Sequence, residues 1–268
     1  MARTKTDAEA KLRQAVEEAL ADPRPSEPAE KAFARLRSHH ARRLAKSKAL
    51  LDLARLRQST RRAGYRAIGA FHNGLFECDH VSPWTKSGHN VDATVMVVGQ
   101  DWSSADVLAR DPPDLKVAHL GFDAKFPTNA NLDDLLQRHF GLTRKQCYLT
   151  NLFPYIKRGH ASAAIPMKDL LWAAQTFTLP EIRIVSPRLV ICLGVRTFRA
   201  LSRAVGAKGL PTLDEAINSA FNYEGTTIHC VAHTGALGMN NRGKPQVGVD
   251  WARIAERHNS KDRRAISL

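Results

Sequence analysis

Four short runs of apolar residues recur along the chain, each closed by a polar or turn-forming residue. They are Val95–Val98, Cys147-Tyr-Leu-Thr-Asn151, Leu189-Val-Ile-Cys-Leu193 and Thr227-Ile-His-Cys-Val-Ala232. Runs that are apolar without alternation are expected of strands buried on both faces of a parallel sheet. Stretches of helical period lie between them. Leu132, Leu135, Leu136 and Phe140 share one face of a helix that Thr128 or Asn129 would cap and Gly141 would end. A second helical stretch covers Met167–Val185 with an interruption near Pro180, and Pro187 introduces the third strand. Gly194 turns the chain into a helix carrying Phe198, Leu201 and Val205, and Asp250–His258 closes the chain with Trp251 and Ile254 facing inward. Alternation of strand and helix predicts an α/β fold: a central four-stranded parallel sheet flanked by helices.

The N-terminal quarter follows a different pattern. Residues 1–28 read as a polar helix running into the proline-rich linker Asp22-Pro-Arg-Pro-Ser-Glu-Pro28. From Lys31 to Arg66 the chain is helix-forming and basic, with Lys31, Arg35, Arg37, Arg42, Arg43, Lys46, Lys48, Arg55, Arg57, Arg61, Arg62 and Arg66 opposed only by Asp52. Phe33, Leu36, Leu44, Leu51 and Leu56 form a narrow apolar stripe able to dock on a domain or a partner. Two regions are therefore expected, a basic helical extension over 1–66 and an α/β domain over 67–268. Gly64–Asn90 holds His72, Cys78, Asp79, His80 and His89, but the spacing fits no compact zinc motif and predicts a structured loop without metal. An irregular segment is expected from Arg110 to Asn129.

Composition sharpens this picture in two respects. Among 268 residues, 43% are hydrophobic, which is enough for a full core. The net charge of +14, concentrated in the basic helix, points to a polyanionic partner, with Arg42 and Arg43 among the candidate contacts. No run approaches the roughly 20 apolar residues of a membrane span, and the charged N-terminus does not resemble a signal peptide. The expectation is a cytoplasmic protein. Cys78, Cys147, Cys192 and Cys230 are widely separated and read as reduced thiols.

Three of the four strand ends carry groups capable of chemistry: Gln100-Asp101, Asn151 and His233. A parallel sheet brings such ends to one edge, where ligands bind in open α/β folds. A carboxylate, an amide and an imidazole beside a basic surface point to recognition of a base and displacement at its sugar carbon. At these residues the sequence resembles the uracil-DNA glycosylase superfamily. Gly99-Gln-Asp101 is similar to its first motif, and Phe126-Pro-Thr-Asn129 to its base-stacking segment. Leu149-Thr-Asn151 is similar to its base-reading strand, and His233-Thr-Gly-Ala-Leu237, continuing to Asn241-Arg-Gly243, to its second motif. The likeness spans about residues 90–258 and does not include the basic extension.

The resemblance implies a DNA glycosylase that works without metal or cofactor and leaves an abasic site. Asp101 and His233 would be catalytic, Asp101 activating water and stabilising the cationic sugar, His233 donating to the departing base. Gln100, Ser103, Phe126 and Asn151 would form the base pocket, with Phe122 a second stacking candidate. Leu237 would wedge into the duplex, and Asn241, Arg242, Lys157 and Arg158 would contact DNA. Two departures bear on substrate. Trp102-Ser103 replaces the family's Pro-Tyr, removing the Tyr that blocks the pyrimidine C5 side, and Thr234 replaces a Pro. The cysteines do not match the iron–sulfur branch. The resulting reading is a monofunctional glycosylase, favoured as a monomer, for uracil or a 5-modified pyrimidine. Two alternatives stand beside it: removal of hypermodified phage cytosines as a defence, and an inactive DNA-binding module.

Overall fold

β1 (Val95–Asp101), β2 (Tyr148–Phe153), β3 (Leu189–Leu193) and β5 (Thr226–Val231) pair in parallel, and β4 (Ala220–Tyr223) adds an antiparallel edge. The order across the sheet is β2-β1-β3-β5-β4. The computed structural model describes residues 14, 17, 28–109 and 112–266. The expected helix over 1–28 and nearly all of its linker, together with Arg110, lie outside the described residues.

Apolar residues on alternate sides of each strand feed two separate cores. Met96, Val98, Tyr148, Val190, Cys192, Ile228 and Cys230 face one, which also holds Phe177, Ile182, Phe198 and Leu201. Val95, Val97, Leu149, Ile191 and Val231 face the other, with Leu132, Leu136, Trp251 and Ile254. Burial on both faces explains the unbroken apolar runs. The first core is covered by α5 (Met167–Ala173), a π-helical turn (Ala174–Thr178), α6 (Leu179–Val185), α7 (Val195–Ala204) and α8 (Leu213–Asn218). The second is covered by α4 (Pro127–Phe140), α9 (Ala236–Arg242) and α10 (Lys244–Ile266). Two short helices, α2 (Ala105–Leu108) and α3 (Leu115–Leu120), bridge β1 to α4.

Several expectations are corrected. The sheet has five strands among the described residues rather than four. Glu224 and Gly225, both at positive φ, form a two-residue turn that folds Ala220–Tyr223 back on β5. That strand is short and half exposed, so it leaves no apolar run in the sequence. Phe126, not Thr128 or Asn129, precedes α4, with Pro127 at its first position. The interruption expected near Pro180 is the π-helical turn Ala174–Thr178, after which Pro180 takes the second position of α6. The closing helix is longer than 250–258, running over Lys244–Ile266.

The basic helix is α1 (Ala29–Ser59), rich in Ala, Leu, Arg and Lys and free of Gly and Pro inside. Contacts divide the chain into two compact units between Arg42 and Arg43 rather than at residue 66. Within the larger unit, Leu50 and Ala54 are buried and Arg57 is fully enclosed. Lys46 Nζ donates to the carbonyls of Val91 (3.1 Å) and Val185 (2.9 Å), the latter at the C-terminal end of α6. Arg57 donates to the carbonyls of Cys78 (2.7 Å) and His80 (3.0 Å) and pairs with Glu77. The packed face thus runs through Lys46, Leu50, Ala54 and Arg57. The expected stripe lies elsewhere: Phe33, Leu36, Leu44 and Leu56 are exposed.

Candidate active site

The sheet order places β1 between β2 and β3, so the chain winds from β1 to β2 on one side and then crosses back past β1 to β3 on the other. Such a switch point opens a crevice at the carboxyl ends of the strands. Asp101 ends β1 at that crevice. Its carboxylate is nearly buried, and each oxygen has one partner. Gln100 Nε2 donates to Oδ1 at 2.9 Å, and Lys157 Nζ pairs with Oδ2 at 2.8 Å. Gln100 is itself oriented by Arg196 of α7, whose Nε donates to Oε1 at 3.2 Å while Nη2 donates to the Ile165 carbonyl. A polar chain therefore runs from Arg196 through Gln100 to Asp101 and Lys157, and it fixes the carboxylate's orientation.

Asn151 lies on β2 opposite Gly99 and is buried. Glycine is required there by close approach, since a Cβ at residue 99 would stand 2.6 Å from Asn151 Nδ2. Ser82 Oγ accepts from Trp84 N at 3.2 Å, which leaves its own proton to donate to Asn151 Oδ1 at 2.6 Å. The amide is thereby held with Nδ2 and one Oδ1 lone pair uncommitted to Ser82. Trp84 is buried beside it and donates through Nε1 to Asn129 Oδ1 at 3.1 Å.

His233 follows β5 in a loop tied to the start of α4. Thr234 Oγ1 donates to the Thr128 carbonyl at 2.9 Å, and Asn131 Nδ2 donates to the Thr234 carbonyl at 2.8 Å. Gly238 permits the loop to close, because a Cβ there would run into the His233 carbonyl. The Gly235 backbone N–H donates to His233 Nδ1 at 2.9 Å. A backbone amide is an obligatory donor, so Nδ1 is the acceptor and the neutral ring carries its proton on Nε2. His233 is exposed to solvent as a residue, yet the surrounding atoms desolvate it enough to hold its pKa below the usual histidine value. Asp101 opposes that shift and Lys157 adds to it. Asp101, Lys157 and His233 thus act on one another electrostatically as one cluster.

Other expected site residues are distributed unevenly. Leu237 is 73% exposed at the start of α9 and Phe126 is 50% exposed before α4. Phe122 is half-buried, with the Arg144 guanidinium 4.2 Å over its ring. Ser103 is half-buried, and Trp102 beside it is anchored by Nε1 donating to the Gly121 carbonyl at 2.7 Å. Asn241 is exposed, and Arg158 is exposed while donating to the Gly64 carbonyl. Arg42 is exposed, and exposed Arg43 lies 3.9 Å from Asp92. Two residues depart from the expected surface role. Arg242 is bound to buried Asp250 (2.8 Å) and to Asp214, so its guanidinium faces carboxylates of its own domain. Lys157 is buried beside Asp101 rather than displayed to a phosphate.

Lys157, expected only as a DNA contact, joins Arg196, Ser82 and Trp84 in the site. Lys157 was visible only as a basic residue six places beyond Asn151, and the other three carry no sequence signal of a shared site. The cluster of His80 and His89 is an aromatic contact, rings 4.6 Å apart. Among the described residues no group of three or more His, Cys, Asp or Glu is arranged to hold a metal ion. No described helix is long and apolar enough to cross a membrane.

Comparison with known proteins places the chain in a family. The sequence profile described as "Uracil DNA glycosylase superfamily" matches residues 86–252, a span that contains Asp101, Asn151 and His233. No curated protein matches the chain. The match covers more than half the chain and the parallel sheet with its flanking helices fits it: the chain belongs to the uracil DNA glycosylase superfamily, and DNA glycosylase is the reaction class that membership supports.

Proposed function

We propose that the protein flips a pyrimidine out of DNA and hydrolyses its N-glycosidic bond, with uracil or a 5-substituted uracil as the base. The observation that carries this reading is the convergence of Asp101, Asn151 and His233 at one sheet edge, each held by its own hydrogen-bond partners. Asn151 presents an Nδ2 donor and an Oδ1 lone pair, complementary to O4 and N3–H of a 4-oxo pyrimidine. His233, neutral with its proton on Nε2, donates to O2 as negative charge develops on the departing base. Asp101 positions water and opposes the positive charge of the oxocarbenium-like sugar. Phe126 stacks on the base and Leu237 fills the gap left in the duplex. Acceptance of a 5-substituent is favoured by Ser103, which is smaller than the Tyr that the resemblance places there, and by Trp102, whose Nε1 is held by the Gly121 carbonyl.

The test is a panel of DNAs containing uracil, 5-hydroxymethyluracil, mismatches or 5-modified cytosines, assayed for abasic sites with and without alkali. Base release from the two uracils is expected. Asp101→Asn should lower it by roughly 10²–10⁴-fold with DNA affinity retained. His233→Ala should cost about 2–4 kcal/mol of transition-state stabilisation. Ser103→Tyr should suppress excision of the 5-substituted base more than that of uracil. Release from no member of the panel would remove the glycosylase reading. Release from 5-modified cytosine alone would overturn the assignment of Asn151 and favour a role in defence.

A further inference from the structure

The polar chain around Asp101 ends in a lysine to which base release assigns no role. Lys157 Nζ stands 2.8 Å from Asp101 Oδ2, and both side chains are nearly buried. For the glycosidic step alone this is an unfavourable place for a fixed cation. The ammonium offsets the carboxylate's negative charge just where positive charge must form on the sugar. A lysine whose proton can pass to an adjacent carboxylate has a different use, because the neutral amine is a nucleophile toward carbonyl carbon.

The backbone around Lys157 is fixed on two sides. The Ala105 amide donates to the Lys157 carbonyl at 2.9 Å and the Asp106 amide to the Gly159 carbonyl at 3.1 Å, just past the end of β1. On the other side the Ile156 amide donates to the Arg66 carbonyl at 3.0 Å. Nζ also donates to the Ala161 carbonyl, so it is aimed rather than mobile. Its contact with Asp101 places the amine at the carboxyl end of β1, beside the group that the glycosylase reading sets against the sugar.

We propose that Lys157 is an amine nucleophile toward abasic deoxyribose, giving this site a lyase step that follows base loss. The proposal rests on the glycosylase reading only for the origin of the abasic site. Asp101 takes a proton from the Lys157 ammonium, and the amine lone pair forms a bond to C1′ of the ring-opened aldehyde. One nitrogen proton and the proton held by Asp101 leave with the carbonyl oxygen as water, and a protonated imine remains. Asp101, again a carboxylate, removes a proton from C2′, and the C3′–O bond breaks with its electron pair leaving on the phosphate. Water hydrolyses the conjugated imine and returns the amine. No oxidant or reductant takes part.

The test uses the full chain and a duplex carrying a preformed aldehydic abasic site, so it does not depend on base release. Sodium borohydride is added, covalent protein–DNA adduct is read on a denaturing gel, and the modified peptide is mapped by mass spectrometry. The wild type should be trapped, with the adduct on Lys157. Lys157→Arg, which keeps a cation beside Asp101 but has no nucleophilic amine, should lower trapping at least tenfold. Absence of adduct in the wild type, mapping to another amine, or undiminished trapping in Lys157→Arg would each overturn the proposal. Trapping on Lys157 in a protein that releases no base from the panel above would uphold the lyase step and remove the glycosylase reading.

Discussion

Lys31, Arg37 and Arg42 in the first half of α1 are exposed, whereas Lys46 and Arg57 in its second half are held by carbonyls and carboxylates of the domain. The two halves look alike in sequence: both are helix-forming and both are basic. The difference lies in what surrounds them. An exposed arginine keeps its hydration and its charge is felt by a distant polyanion, screened over about 10 Å at moderate salt. An enclosed arginine must replace lost water with protein acceptors, and its charge is balanced locally. Beyond the helix Arg62 repeats the second pattern, paired with Asp169 and lying 4.5 Å over the Trp172 ring. Net charge read from sequence therefore overstates the charge on offer to DNA, and part of the basic segment is domain interior.

The largest effect expected from this contrast is on truncation. Removing residues 1–42 should leave a cooperatively unfolding domain. Removing 1–66 deletes Leu50, Ala54 and Arg57 from the core and should abolish the cooperative transition followed by circular dichroism. Equal midpoints for the two truncations would erase the distinction. Next in size, Arg57→Ala removes the cation beside Glu77 and a donor from the carbonyls of Cys78 and His80, and should cost about 3 kcal/mol in urea unfolding. Arg37→Ala should stay within about 0.5 kcal/mol.

Acid should expose the same interior balance. His80 has its pKa pushed down to about 4, chiefly by burial and then by His89. In the unfolded chain it titrates near its ordinary value of 6.5. Stability linked to a neutral His80 is thus fully present above about 6.5 and is lost as pH falls toward 4. Urea midpoints at pH 7 and 4.5 should converge more in His80→Gln than in the wild type. The smallest effect belongs to the exposed half. Arg42→Ala should leave the melting temperature unchanged and reduce the slope of log affinity against log salt by about 0.9, the share of one phosphate contact. An unchanged slope would remove Arg42 from the proposed DNA contacts.

The fold was largely legible because burial on both faces writes itself into sequence as unbroken apolar runs, and each of the four parallel strands has one. The edge strand Ala220–Tyr223 was not, since half its residues meet water and its pairing depends on a turn of two residues at positive φ. In the site, Asp101, Asn151 and His233 were accessible because each stands at or near the end of a readable strand. Arg196 and Ser82 were not, because each meets its partner across nearly 70 residues or more of chain.

By itself the sequence determined the order of strands and helices, the position of chemistry at the strand ends and the excess of positive charge. These follow from local periodicity and residue type, which need no partner. The tertiary structure decided which charges are balanced inside and which face solvent, and it brought Lys157 against Asp101. It also fixed the tautomer of His233 through Gly235. Each of these depends on which group comes within about 3 Å of another in a poorly hydrated space, and that distance is set by packing rather than by the chain's local pattern.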